Sequence, residues 1–370
     1  MALYLFILGG LSVAMVFGFQ GVQNSQWYML TVATLLAAGL YSSTYGISLK
    51  EARTHLGLIL RAITIGVLLK ALIIGTTMAL ILHNPFGFIL GIIVAQIDPL
   101  STAALMKGNR MSKKAKAILG AWASFDDPMT VIMSLYAPML LASATGVDWH
   151  PIRGTMQAGG ISGYLLETVI NLLFAAGIFV LWRLMKHHAK AANIVVVLLV
   201  ALGIYGLLLG ALSIAVYYFW MLGIALIGLF LRPPIEAFIS RFVTWALHMA
   251  AVMLGILLVN GINVLPGIAL GFVAYCAQVI VGLLLTKKLP TKDRLHIALA
   301  QQNGITAIIL ALLFETYYPG TVAIVAPGII TINLLHVLAN VVLDVKLGKD
   351  QKKLSPSYYL QLLRVHLRKV

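Results

Sequence analysis

Residues 95–105, AQIDPLSTAAL, and residues 123–133, ASFDDPMTVIM, place Asp98, Asp126 and Asp127 inside long apolar runs. A carboxylate left unpaired in hydrocarbon is costly, so acids within a membrane span line an ion path, a proton relay or a polar interface. These three mark the functional centre of the chain.

Working outward, the composition fixes the medium. Of 370 residues, 61% are hydrophobic and 10% charged, and the apolar runs exceed what a soluble core helix requires. The chain is expected to be a polytopic, all-α membrane protein. Its polar breaks give about twelve spans, at 2–19, 28–48, 57–82, 86–106, 117–142, 161–182, 192–210, 213–231, 238–259, 264–286, 295–315 and 320–345. The first is taken as a span and not as a leader, because no basic segment precedes it and no small-residue cleavage site closes it before QGVQNSQ. The single Cys276 cannot form an intrachain disulfide.

The net charge of +15 is topological. With both termini cytoplasmic, all of the 26 basic residues except Arg153 and Lys70 fall on or near one side, as the positive-inside rule requires of a plasma-membrane protein. No soluble basic domain remains to hold nucleic acid. Only Gly210 to Ser213 separates the seventh and eighth spans, and the cut there rests on parity, since Lys190 and Arg232 belong to the same side. The tail, 346–370, is basic and amphipathic and is expected to lie on the inner leaflet.

A helix rises ~1.5 Å per residue, so nine to eleven residues from a charged boundary reach about half of a ~30 Å core. Asp98 precedes Lys107 by nine residues and Asp127 follows Lys116 by eleven. By the same count Lys70, Gln278, Asn303 and His336 share that depth. Pro99 makes IDPLST a poor helix, in which Ser101 and Thr102 bring hydroxyl oxygens. The segment 300–307, AQQNGITA, weakens the eleventh span likewise, with Gln301, Gln302 and Asn303 ahead of Gly304. Two discontinuous spans, seven apart, cross in opposite directions, as an inverted repeat demands. Pro128 frees the carbonyl of Ser124 near the acidic pair. His336, Asn333 and Asn340 are expected to make packing hydrogen bonds, and Tyr217, Tyr218 and Trp220 to serve a belt or packing surface.

Clustered carboxylates in a low dielectric favour taking up a proton or a counter-cation, and hard oxygens suit alkali ions. A site that holds one or the other, exposed alternately to each side, exchanges them. No P-loop is present to power a pump, so no cofactor is expected beyond the transported H⁺ and Na⁺, Li⁺ or K⁺. A solute symporter would need more midplane cationic groups than Lys70, and an intramembrane aspartyl protease would carry GxGD, which is absent. A channel would be distinguished by its conductance.

The order Asp98-Pro99, basic loop, acidic pair, in MKGNRMSKKAKAILGAWASFDDP (106–128), resembles the monovalent cation/proton antiporter superfamily, the sodium/hydrogen exchangers. The resemblance covers most of 28–345. It implies a homodimer in which a core of spans within 57–142 and 264–345 moves, elevator-like, against a scaffold within 1–48 and 161–259. It further implies that Asp127 is the principal ion and proton carrier, that Asp98 lies at the helix crossing in a Na⁺-type site, and that Asp126 takes a position occupied by Asn in electroneutral members. The chain departs from that pattern at several places. Ile97 replaces the Thr before Asp-Pro, leaving its backbone carbonyl as a ligand. Gly120, Ala121, Trp122 and Ala123 replace Glu-Gly-Glu-Ser, Asn303 replaces an Arg, and Gln278 replaces the basic residue of the tenth span. Lys70 is the candidate charge partner for Asp126.

Overall fold

The computed structural model describes residues 2–19, 21–46, 57, 61–98, 102, 105–106, 111–145, 161–189, 194–300 and 304–348, and all its regular elements are helices. In chain order they are α1 (Ala2–Phe17), α2 (Gln26–Tyr45), α3 (Val67–Leu82), α4 (Phe86–Ile93), α5 (Lys113–Thr145), α6 (Ile161–Ala189) and α7 (Ile194–Tyr218). Then come α8 (Met221–Ile227), α9 (Glu236–Leu257), α10 (Val264–Leu285), α11 (Thr291–Ala298), α12 (Ile305–Glu315) and α13 (Thr321–Gly348). A π-helical turn, Ala62–Gly66, leads into α3.

Helices α6, α7, α9, α10 and α13, and α3 with the end of its π turn, are each long and apolar enough to cross a bilayer. With the shorter apolar α1 and α12, they make this a multi-pass membrane protein. Leucines and valines along α6 and α7, such as Leu173, Leu199 and Leu202, are exposed, as a lipid-facing surface requires.

Lipid offers no hydrophobic driving force between helices, so close approach depends on small residues. A Cβ at Gly91 would lie 2.5 Å from the backbone nitrogen of Gly75, and this seats α4 on α3. A Cβ at Gly271 would lie 2.6 Å from the carbonyl oxygen of Gly328, which seats α10 on α13 in the same way. Gly10 and Gly255 do this for α1 and α9, each facing a carbonyl of the other helix.

Both expected breaks are present. After α4 the chain leaves helical geometry at Val94–Asp98, and between α11 and α12 it does so at Leu299, Ala300 and Gly304, the residues described there. The fifth span is longer than 117–142, because its helix runs for 33 residues and takes Lys113, Lys114 and Lys116 into its first turns. Asp293 of α11 caps that start, accepting from the backbone N of Ser112 at 2.9 Å and from its Oγ at 2.5 Å. An acid at the positive end of a helix dipole offsets the unfavourable lysines there.

The division of 192–231 is corrected. Helix α7 passes without interruption through Gly210 to Ser213 and ends at Tyr218. Nothing lies within 4 Å of a Cβ at Gly210, and one glycine costs a helix only about 1 kcal/mol. The reversal comes at Phe219, whose φ of 61° puts it in the left-handed region, with the Trp220 N–H donating to the Ala215 carbonyl. The eighth span is therefore the 7-residue α8 followed by turns. Its chain still returns to the C-terminal end of α2, where Arg232 Nη2 donates to the Thr44 carbonyl at 3.2 Å. Trp220 stacks on Tyr218 and packs on Phe174, while Tyr217 is exposed. The tail beyond Gly348 lies outside the described residues.

Candidate functional site

The broken spans and α5 meet where the acids are. Asp98, Asp126 and Asp127 are all buried, with Asp126 at 0% exposure. The acidic pair, adjacent on a helix, points in directions about 100° apart, and the two members have different surroundings.

Asp126 is fully occupied. Its Oδ2 takes the Lys70 ammonium at 2.8 Å and the backbone N–H of Ile97 at 3.0 Å, and its Oδ1 takes the indole N–H of Trp122 at 3.0 Å. Lys70, from α3, lies 5.3 Å above the Trp122 ring. The pair is excluded from solvent on both sides. At Ile97 it is the N–H, not only a carbonyl, that has a role: it ties the unwound segment to α5.

Asp127 has an open side. Its Oδ2 accepts from the Ser43 hydroxyl of α2 at 2.9 Å, while Oδ1 has no hydrogen-bond partner among the described residues. Thr306, in the first turn of α12, approaches the same carboxylate, and Asp98 is near enough for the two charges to interact. Asp98 itself lies against Gly304, since a Cβ at that position would collide with its Oδ1. Gly304 is the N-cap of α12. The carboxylate of Asp98 thus sits at the positive end of a half-helix, where a negative charge is favoured.

The negative end of the other half-helix is met by polar side chains. Gln278 of α10 donates to the carbonyl of Ile297 at 3.3 Å, and Asn340 of α13 donates to that of Leu299 at 3.2 Å. His336 Nδ1 stands 2.9 Å from the same Leu299 oxygen. Carbonyls left bare by a break inside a membrane need such partners. Gln278, expected as a depth-matched polar residue, and His336 and Asn340, expected as packing groups, together close the end of α11.

Ser124 turns its hydroxyl back onto the Gly120 carbonyl at 2.8 Å along its own helix. Thr102 is buried with its backbone N–H bonded to the Asp98 carbonyl, and its Oγ1 has no partner among the described residues. Ser101, Gln301, Gln302 and Asn303 lie outside the described residues. Five contributors were not singled out from the sequence: Ser43, Gln96, Trp122, Thr130 and Thr306. The Thr130 hydroxyl bonds Gln96 Oε1 at 2.6 Å and lies near the carbonyls of Asp126 and Asp127. Gln96, Trp122 and Thr130 lie within one helical turn of the acids in sequence, a signal that polar or N–H-bearing side chains at midplane depth provide. Ser43 had no such signal, because it belongs to another span.

Among the described residues no group of three or more His, Cys, Asp or Glu side chains gathers as a resident metal site. The chemistry offered is that of a carboxylate with one oxygen held and one open, beside a second acid and hydroxyls. Such a set takes a proton or a weakly held monovalent cation.

No family model matches the chain. It is 29% identical over 264 residues to a K(+)/H(+) antiporter NhaP2 of Shewanella sp. (strain ANA-3), covering 67% of this chain and 44% of that protein. It is 28% identical over 265 residues to the protein of that name in Shewanella oneidensis. The chain spans less than half the length of these relatives. In three dimensions it resembles the sodium proton antiporter MjNhaP1 of Methanocaldococcus jannaschii, with a TM-score of 0.61 at 18% identity over 92% of this chain and 91% of that one. A second structure of MjNhaP1, from electron microscopy, gives a TM-score of 0.54 at 20% identity. The fold, with its discontinuous crossing helices, is that of these antiporters.

Proposed function

We propose that this chain, a member of the monovalent cation/proton antiporter superfamily, exchanges protons for an alkali cation by alternating access. Proton and cation compete for Asp127 and Asp98. Asp127 is the carrier, Asp98 completes the cation's oxygen cage, and Thr306 and Thr102 stand by with hydroxyls. The observation that carries this is the buried Oδ1 of Asp127, without a hydrogen-bond partner among the described residues, at the junction of two broken helices and beside a second carboxylate. The Lys70–Asp126 pair anchors the unwound segment through Ile97 and leaves loading to Asp127.

The units 57–142 and 264–345 move against 1–48 and 161–259 to expose the site to each side. The distribution of Lys and Arg supports an orientation in the plasma membrane with both termini cytoplasmic. A homodimer joined through the scaffold follows from the same family reading, and crosslinking in native membranes checks it.

The test is pH-gradient dissipation in proteoliposomes on adding Na⁺, Li⁺ or K⁺. Dissipation that saturates with one or more of these cations is expected. Dissipation indifferent to all three would refute exchange. In the same assay Gly304→Ala is expected to raise the apparent cation KM on the order of tenfold, because the added methyl displaces the Asp98 carboxylate. A wild-type KM would remove Asp98 from the cation's shell.

A further inference from the structure

The Ser43 bond joins a helix of the proposed static unit to the carrier carboxylate of the proposed moving unit. Helix α2 packs on α5 and α12, the elements that bring Asp127 and Thr306 together. Ser43 lies at the third position from the C-terminal end of α2, about 11 Å beyond that helix's midpoint at ~1.5 Å per residue. One turn back on the same face is Gly39, and further along lie Leu36, Leu35 and Val32, all buried and apolar. A Cβ at Gly39, just past the Ser43 hydroxyl, would meet no atom of the described residues within 4 Å. A carboxylate displaced along α2 away from Ser43 would therefore travel past a glycine and an aliphatic strip before reaching the next hydroxyl on that face, that of Tyr28.

We infer that Ser43 is a charge-sensitive latch: its hydroxyl holds the empty, ionised Asp127 at one end of α2 and lets go when a proton or cation neutralises that carboxylate. The inference rests on the antiport reading and adds a positioning residue to it. A hydrogen bond to an ionised acceptor is roughly twice as strong as one to a neutral group. Loading Asp127 therefore weakens the hold at the moment when movement is wanted, and an unloaded carrier stays put. Other hydrogen bonds cross the same boundary, such as the Tyr28 hydroxyl to the Leu312 carbonyl at 2.8 Å. They end on neutral groups and do not sense loading. At Gly39 the released side chain meets no atom of the described residues that it must first displace.

The measurement is the number of cations moved per proton moved, read together by tracer flux and a pH dye in proteoliposomes of the full chain. Ser43→Ala is expected to raise the cation movement unmatched by protons about ten- to a hundredfold, the range set by losing a charge-assisted bond. Ser43→Thr, which restores the hydroxyl, should return the ratio to that of wild type. A role in folding alone would lower the thermal midpoint and the rate without moving this ratio. A wild-type ratio in Ser43→Ala overturns the latch. Should that variant fail to fold, Ser43→Cys carries the test, since it keeps the volume with a much weaker donor, and a wild-type ratio there overturns the latch equally. Wild-type vesicles without any cation-dependent proton movement would instead fail the antiport reading itself.

Discussion

Asp127→Asn is expected to abolish exchange while leaving the fold intact. The amide has the volume of the carboxylate, and its oxygen can still accept from Ser43, so neither packing nor the α2–α5 contact is lost. What disappears is the charge. Two unit charges about 4 Å apart at an effective dielectric near 20 attract by about 4 kcal/mol, or roughly a thousandfold in affinity. The amide also cannot carry a proton in the working range. Both halves of the cycle therefore fail together, and pH-gradient dissipation should fall to the level of empty vesicles for every cation. The thermal midpoint of the purified protein serves as the control, and it should stay near that of wild type. Exchange at wild-type rates in this variant would mean that the carrier is another group.

Lys70→Ala should have the largest effect on stability. It leaves Asp126 buried at 0% exposure with its cation gone, and breaking a buried pair from one side costs about 3–5 kcal/mol. The loss falls on the crossing, because Asp126 also holds the N–H of Ile97. A sharp drop in thermal midpoint is expected, with loss of exchange as a consequence. Replacing both members, Lys70→Met with Asp126→Asn, removes the orphaned charge. Such paired replacements are often neutral, so the midpoint and exchange through Asp127 should both recover substantially. If the double variant regains stability yet still moves no protons, the pair takes part in transport and is more than an anchor.

The centre of the fold was legible because its features break rules locally. Pro99 after Asp98, and Gln301 to Gly304 in an apolar run, are poor helix, and the chain is unwound next to both. Depth counted from the charged boundaries placed Lys70 with the acids, and the structure brings it onto Asp126. The seventh and eighth spans misled because Gly210 permits a break without compelling one, whereas Phe219 adopts a left-handed backbone that nothing in its side chain announces. Ser43 was illegible for a different reason. Its value lies in a contact between residues 84 positions apart, and one serine near the end of a span looks like the start of a polar boundary. The closure of α11 was half legible: His336 and Asn340 stood out as hydrogen-bonding groups, but their target, the Leu299 oxygen, exists only once the helix has broken.

The glycine seams between α3 and α4 and between α10 and α13 have a mechanical corollary. Backbones in such close contact leave no side-chain cushion to absorb shear, so each pair behaves as one stiff beam. The two beams touch where α3 meets α10. A push at one face of the bilayer would then arrive at the other nearly undiminished, and the compliance needed for a stroke must reside in the unwound segments and in the joints to neighbouring helices.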